Sequence, residues 1–214
     1  MEIDAGNSAL PLTGENKIIL HLIPMESFST KLSLPTQKIM ELLRDVKNLH
    51  PMTSANLFAP QINLAGGVSY TGRVRDKARS YIQVFRNGVI ESVESSILDK
   101  RDSGYIPHVL LEKEVVEATK MSLNAFRLLE IEPPFFIFLS LMNVAGLTMP
   151  SPDGFGDAGE PIRQQNLHLP EVTIESFEQS VPSAVKPVFD LIWNACGLPG
   201  SLNFNAAGEW LPKV

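Results

Sequence analysis

The sequence predicts an α+β fold, a mostly antiparallel sheet with a central β-hairpin covered by about three helices. Three stretches carry this expectation. Ser80 to Leu98 places strand-forming residues on both sides of Asn87-Gly88, a dipeptide suited to the positive φ angles of a two-residue type I′ turn. Val109 to Leu129 repeats apolar residues at helical spacing along its whole length. Phe135 to Val144, FFIFLSLMNV, is an almost unbroken apolar run and reads as a central strand buried on both faces.

A two-residue turn sets the hairpin register. Arg86 then faces Val89, Phe85 faces Ile90, Val84 faces Glu91 and Ile82 faces Val93. One face of the ribbon carries Ile82, Val84, Val89 and Val93, and the other carries Tyr81, Phe85 and Ile90. A ribbon apolar on both sides belongs inside a larger sheet with material packed on each face.

The remaining elements follow in order. Residues 1–16, rich in small and turn-forming residues, read as a linker or arm, and residues 17–214 as a single α+β domain. Lys17 to Pro24, KIILHLIP, is a short buried strand. Ser33 to Leu49 is an amphipathic helix, with Ser33 as its cap, Pro35 in its first turn and Ile39, Leu42, Leu43, Val46 and Leu49 on one stripe. A packed loop with room for a short strand reaches Gly67, and Val68 to Arg75 pairs beside the hairpin. A turn-rich connector, residues 99–107, leads to the long helix, which Pro133-Pro134 ends. Residues 146–166 form a long loop, and Leu167 to Phe177 is a strand with Pro170 near its start or at an edge. The last helix spans residues 183–196, with Pro187 as a break that starts the regular helix late, and Phe204 and Trp210 fold back as an apolar clasp. The helices near residues 36–49, 109–129 and 183–196 complete the order βαβββαββα.

Composition narrows the function classes. Hydrophobic residues at 44% and charged residues at 20% of 214 are globular values. A net charge of −6, with no run of lysine or arginine, lacks the basic footprint of an autonomous nucleic-acid binder. The single cysteine, Cys196, excludes an intrachain disulfide and fits a reducing, cytoplasmic compartment. The most apolar segment falls far short of the roughly 20 residues of a membrane-spanning helix.

His21, amid leucines and isoleucines, reads as a hydrogen-bonded core or strand-face histidine. Arg73, Arg75, Lys77 and Arg79 read as a solvated strand face and turn. His108, Glu112 and Glu114 open the long helix, where acidic residues favour the helix dipole. Asp153, Asp157 and Glu160 do not follow the calcium-loop pattern. Glu91 and Glu94, three apart on a strand, point to opposite faces and are unsuited to joint acid/base work. Ser92, Ser95 and Ser96 lie near these glutamates without a base that spacing alone would place. Cys196, beside Trp193, reads as a small core residue. The familiar phosphate-binding and nucleophile-elbow motifs are absent, so no catalytic residue, cofactor or metal ligand is assigned.

Five strings in one order, LHLIP, SYIQVFRNGVIESV, PPFFIFLSLMNVAG, LHLPEVTIES and IWNACGLPGSLNFNAAGEW, carry a resemblance. Spanning most of residues 17–210, they resemble the region that follows a Schlafen AlbA-type nucleic-acid-binding domain in bacterial modular proteins, often described as DNA- or ATP-binding. The resemblance implies an AlbA-type partner domain in the full-length protein and a non-catalytic accessory role for this region, regulatory, sensory or in assembly. It transfers no site residue and no nucleic-acid binding to this chain. Two other readings stand beside it: a small-molecule-binding sensor domain, and a metal-dependent hydrolase drawing on Glu91, His108, Glu112, Asp153 and Asp157. Oligomeric state is left open.

Overall fold

The computed structural model describes residues 8–29, 31–53, 59–72, 76–99, 104–150 and 159–211. The strands are β1 (Lys17–Pro24), β2 (Gln61–Asn63), β3 (Gly66–Thr71), β4 (Ser80–Phe85), β5 (Ile90–Glu94), β6 (Phe135–Met142), β7 (Asn166–His168) and β8 (Val172–Ile174). The helices are α1 (Thr36–Arg44), α2 (His108–Leu128) and α3 (Val181–Ala195). The fold is α+β, one eight-stranded sheet in the order β2-β3-β4-β5-β1-β6-β7, with β8 also paired to β6. Every strand pairing is antiparallel.

Alternation along the strands divides the core. Ile18, Leu20 and Leu22 of β1, Ile82 and Val84 of β4 and Ile90 of β5 join the main cluster, with Ile39 and Leu43 of α1, Leu111 and Val115 of α2, and Val185 and Phe189 of α3. Ile19, Tyr81, Val93 and Met142 project to the other face, where Leu10 and Leu12 of the arm cover them. The arm is tied down by reciprocal backbone bonds: Thr13 N donates to Ala78 O at 2.9 Å and Ala78 N to Pro11 O at 2.8 Å. Helix α1 approaches β3 so closely that a Cβ on Gly67 would lie 2.7 Å from the Ile39 side chain. Only glycine fits that crossing.

The hairpin is central, as its two apolar faces require, but its loop has three residues. Phe85 N donates to Val89 O and Gly88 N to Phe85 O, and Gly88 sits at φ +86. That is a turn followed by a left-handed glycine bulge, in place of the two-residue type I′ turn. The register therefore slips by one, to Val84 opposite Ile90, Gln83 opposite Glu91 and Tyr81 opposite Val93. Ile90 joins the helix side and Val93 the arm side, the reverse of the faces expected for β5.

Other boundaries move for local reasons. Helix α1 stops at Arg44 because Asp45 leaves helical geometry and its carboxylate accepts from Lys47 N at 3.0 Å, a turn that competes with another helical step. Val46 is consequently 47% exposed, while Leu49 is buried from the turn. Pro35 holds the N-cap position instead of Ser33. Helix α3 continues through Pro187, which lies on its exposed side together with Ser183, so the carbonyl that the proline leaves unpaired is on the solvent side. Strand β6 is not buried equally on both faces: Phe136 and Phe138 are half-buried on the side away from the helices. The expected strand over 167–177 is divided into β7 and β8 around Pro170, which has no N–H for the ladder. A short strand, β2, does occupy the loop before Gly67. The clasp forms, with Phe204 and Trp210 joined by an antiparallel bridge and packed on the core.

Candidate functional site

Where β5 ends and α2 begins, the chain leaves a cleft of about 490 Å³. Its walls combine Ile97, Ile106, Pro107, Leu110 and Pro150 with Thr53, Ser96, Asp99 and Tyr105. Each side is held by a defined contact. Glu94, fully buried at the end of β5, turns its carboxylate onto the following residues and accepts from Ser96 N and Ile97 N, both at 2.8 Å, and from Ser96 Oγ. Burial pushes the Glu94 carboxyl above the usual range, its three donors oppose this, and nearby Glu114 adds to it. Glu114 of α2 accepts from Thr53 N at 2.7 Å. That bond holds Thr53 at φ +50, a left-handed conformation costly for a β-branched residue. Tyr105 bridges to Thr148, and Ile106 N donates to Thr148 O at 2.8 Å, which brings Pro150 to the rim.

A second polar cluster lies on the arm-side face of the sheet. His21 Nε2 donates to Glu91 Oε2 at 2.8 Å, and Tyr81 Oη donates to Glu91 Oε1 at 2.7 Å. Burial first, and the Glu91 charge second, push the Tyr81 phenol up, so it remains a donor. His21 is thus the hydrogen-bonded strand-face residue expected of it. Ser140 and His168 pair at 3.2 Å on the neighbouring strands.

The third cluster fastens the tail. Glu112 is buried, and its Oε1 accepts from Trp193 Nε1 at 3.1 Å and from Ser201 Oγ at 2.7 Å, while its Oε2 faces Trp210 Nε1 at 3.4 Å. His108 stands edge-on to Trp193, with ring centroids 4.9 Å apart, and pairs with Asn203 at 3.1 Å. Burial lowers the His108 pKa, against the opposing pull of Glu112 and Asn203. The expected dipole role for the acidic residues at the start of α2 is therefore corrected. Helix α2 has no acidic residue in its first turn, and Glu112 and Glu114 serve as acceptors for the tail and for Thr53.

Glu91 and Glu94 do point to opposite faces, Glu91 toward the arm side and Glu94 into the turn that walls the cleft. Glu91 shares no hydrogen-bond partner with Glu112, and among the described residues no three histidine, cysteine or acidic side chains converge as a metal site. Asp153, Asp157, Arg73 and Arg75 lie outside the described residues. Lys77, Arg79 and Glu160 are exposed. Cys196 is buried, which pushes its thiol up. Ser95 bonds Arg79 O at 2.8 Å, whereas the buried Ser92 hydroxyl has no partner among the described residues. Sequence reasoning missed Thr53, Ser96 and Tyr105 as neighbours of one space, because they come from two connectors far apart in the chain, the one between α1 and β2 and the one between β5 and α2. The one local signal was Ser96 two residues beyond Glu94, a spacing that allows the carboxylate to cap the turn.

Among the described residues no helix is long and apolar enough to cross a membrane. No family model, curated protein or solved structure matches this chain.

Proposed function

We propose that this chain is a non-catalytic accessory domain that binds a small molecule in the cleft between β5 and α2 and so acts as a sensor for a nucleic-acid-associated modular protein. The cleft itself is the observation that carries this reading. Its 490 Å³ falls within the range of about 300–1,000 Å³ common to small-molecule sites, and it sets a mainly apolar wall against a few convergent polar groups. The strained Thr53 supports the same reading, since backbone strain of this kind gathers at ligand-binding positions. The modular setting, a cytoplasmic protein with an AlbA-type nucleic-acid-binding domain as partner, rests on the five-string resemblance.

Leu110, 39% exposed at the cleft wall, is the place to test it. Leu110→Trp should fill the cleft while leaving the fold intact. A thermal-shift screen of small metabolites should then find compounds that raise the melting temperature of the wild type and not of the plugged variant. At a hundred times Kd the stabilisation is about 2.7 kcal/mol, several degrees for a domain of this size. Wild type and variant responding alike to every compound would refute the reading. An immunoblot of source cells tests the modular setting, which requires a band much larger than this chain.

A further inference from the structure

We infer that the protein has a second ligand site, separate from the cleft between β5 and α2, which takes a small organic monoanion, a carboxylate on an apolar body. The site is a groove of about 440 Å³ between the C-terminal half of α2 and the connector that leads from β8 into α3. Leu123, Phe177, Val181 and Pro182 form its apolar wall. Leu123 and Val181 are buried, and the Phe177 ring packs on Phe135 with centroids 5.3 Å apart, so the core fixes this wall in place.

The free groups on the polar wall are mostly donors. Lys120 forms neither an ion pair nor a side-chain hydrogen bond among the described residues, although Glu117 stands one turn earlier on α2. The side-chain oxygen of Gln179 already accepts from Glu175 N at 3.0 Å, which leaves its NH2 group. Ser180 Oγ accepts from Ser183 Oγ at 3.1 Å and keeps its own proton to give. The first turn of α3 adds N–H groups of the kind that a helix leaves unpaired. Acceptors on this wall are fewer and neutral: the Asn124 side-chain oxygen, the remaining Ser180 lone pair and, at most, the Phe177 and Gln179 carbonyls.

Charge then selects the ligand. Arg127 holds its guanidinium 4.7 Å over the Phe177 ring and donates from Nη2 to Glu178 Oε1 at 2.8 Å. Two cations less one carboxylate leave a single positive charge, that of Lys120. A carboxylate matches it, whereas an ammonium is repelled. Arg127 is also shown by its own pair to be oriented for a carboxylate. Glu178 is 89% exposed, so this pair has little net worth and yields readily to a ligand that buries its apolar body on Phe177.

Benzoate, benzamide and benzylamine share a phenyl body and differ in charge. Titrated at low salt into the methyl-labelled protein, benzoate should move the Leu123 and Val181 methyl resonances saturably, with a Kd about fivefold below that of benzamide, and benzylamine should bind more weakly than either. Lys120→Gln removes the unpaired charge at an exposed position and should erase the advantage of benzoate over benzamide. Glu178→Gln removes the competitor for Arg127 and should tighten benzoate severalfold, a gain that a merely structural ion pair would not give. Leu110→Trp, which fills the other cleft, should leave these affinities unchanged, so the two sites stand or fall separately. Benzamide or benzylamine binding as well as benzoate overturns the inference. Shifts confined to methyl groups elsewhere, silence from all three probes, or unaltered benzoate affinity in Glu178→Gln overturn it too.

Discussion

Glu91 stands directly opposite Gln83 across the hairpin, and this pairing brings the Glu91 carboxylate within 2.7 Å of the Tyr81 hydroxyl and 2.8 Å of His21. The relationship depends on one loop residue. With a two-residue turn, Glu91 would face Val84 among the apolar residues under the helices, where an ionised carboxylate is costly.

Gly88 holds that loop. A side chain there is strained at φ +86, and its Cβ would lie 2.8 Å from Leu32 and 3.2 Å from Ile131. Gly88→Val should cost about 3 kcal/mol by combining left-handed strain with overpacking. Urea denaturation measures this, and an unchanged midpoint would show that the loop does not depend on glycine.

Glu112 should be the most sensitive residue of the tail. Glu112→Ala strands the Trp193 N–H and the Ser201 hydroxyl in the interior, a loss of about 3 kcal/mol, whereas Glu112→Gln keeps an acceptor and should cost about 1 kcal/mol. The alanine variant should also show red-shifted tryptophan emission and faster protease cleavage of the tail. Equal stability of the two variants would contradict this account.

Ser92 offers a gain. Its hydroxyl is fully buried with no partner among the described residues, between Leu20 and Ile82 on the neighbouring strands. Ser92→Ala removes an unsatisfied group at the cost of one atom, and should raise stability by about 1 kcal/mol. A fall of similar size in a denaturation curve would mean that the hydroxyl has a partner after all.

Acid should loosen the tail through His108. Burial holds its native pKa below the ordinary 6.5, so the unfolded chain binds more protons as pH drops. Stability from this group is complete above 6.5 and is lost as pH falls toward the native pKa. Melting temperature should therefore fall more steeply from pH 7 to pH 5 in the wild type than in His108→Gln, and parallel curves would argue against the assignment.

Much of the fold was legible because local chemistry and tertiary demand agree. The 3.6-residue spacing from Leu111 to Ala125 could serve only a helix with one buried face, and the long apolar run from Phe135 had no use outside a strand. Alternation also showed that Glu91 and Glu94 part company. The misjudged positions are those where two local options lie close in energy. Asn87-Gly88 suits either a two-residue turn or a three-residue loop with a glycine bulge. Asp45 can continue a helix or close a turn, and Pro187 is tolerated because its side of α3 meets water.

By itself, then, the sequence determined the fold class, the central place of the hairpin, the extent of the two longer helices to within two residues and the clasp of Phe204 with Trp210. Each of these follows from periodicity or from a residue's own backbone limits. Only the tertiary structure decided that Thr53, Ser96, Tyr105 and Leu110 share a cleft, that Glu112 gathers the two tryptophans, and that His21 meets Glu91. Those contacts join residues tens of positions apart. Their partners are chosen by strand register and by the crossing of α2 over the sheet, neither of which is written in any local stretch.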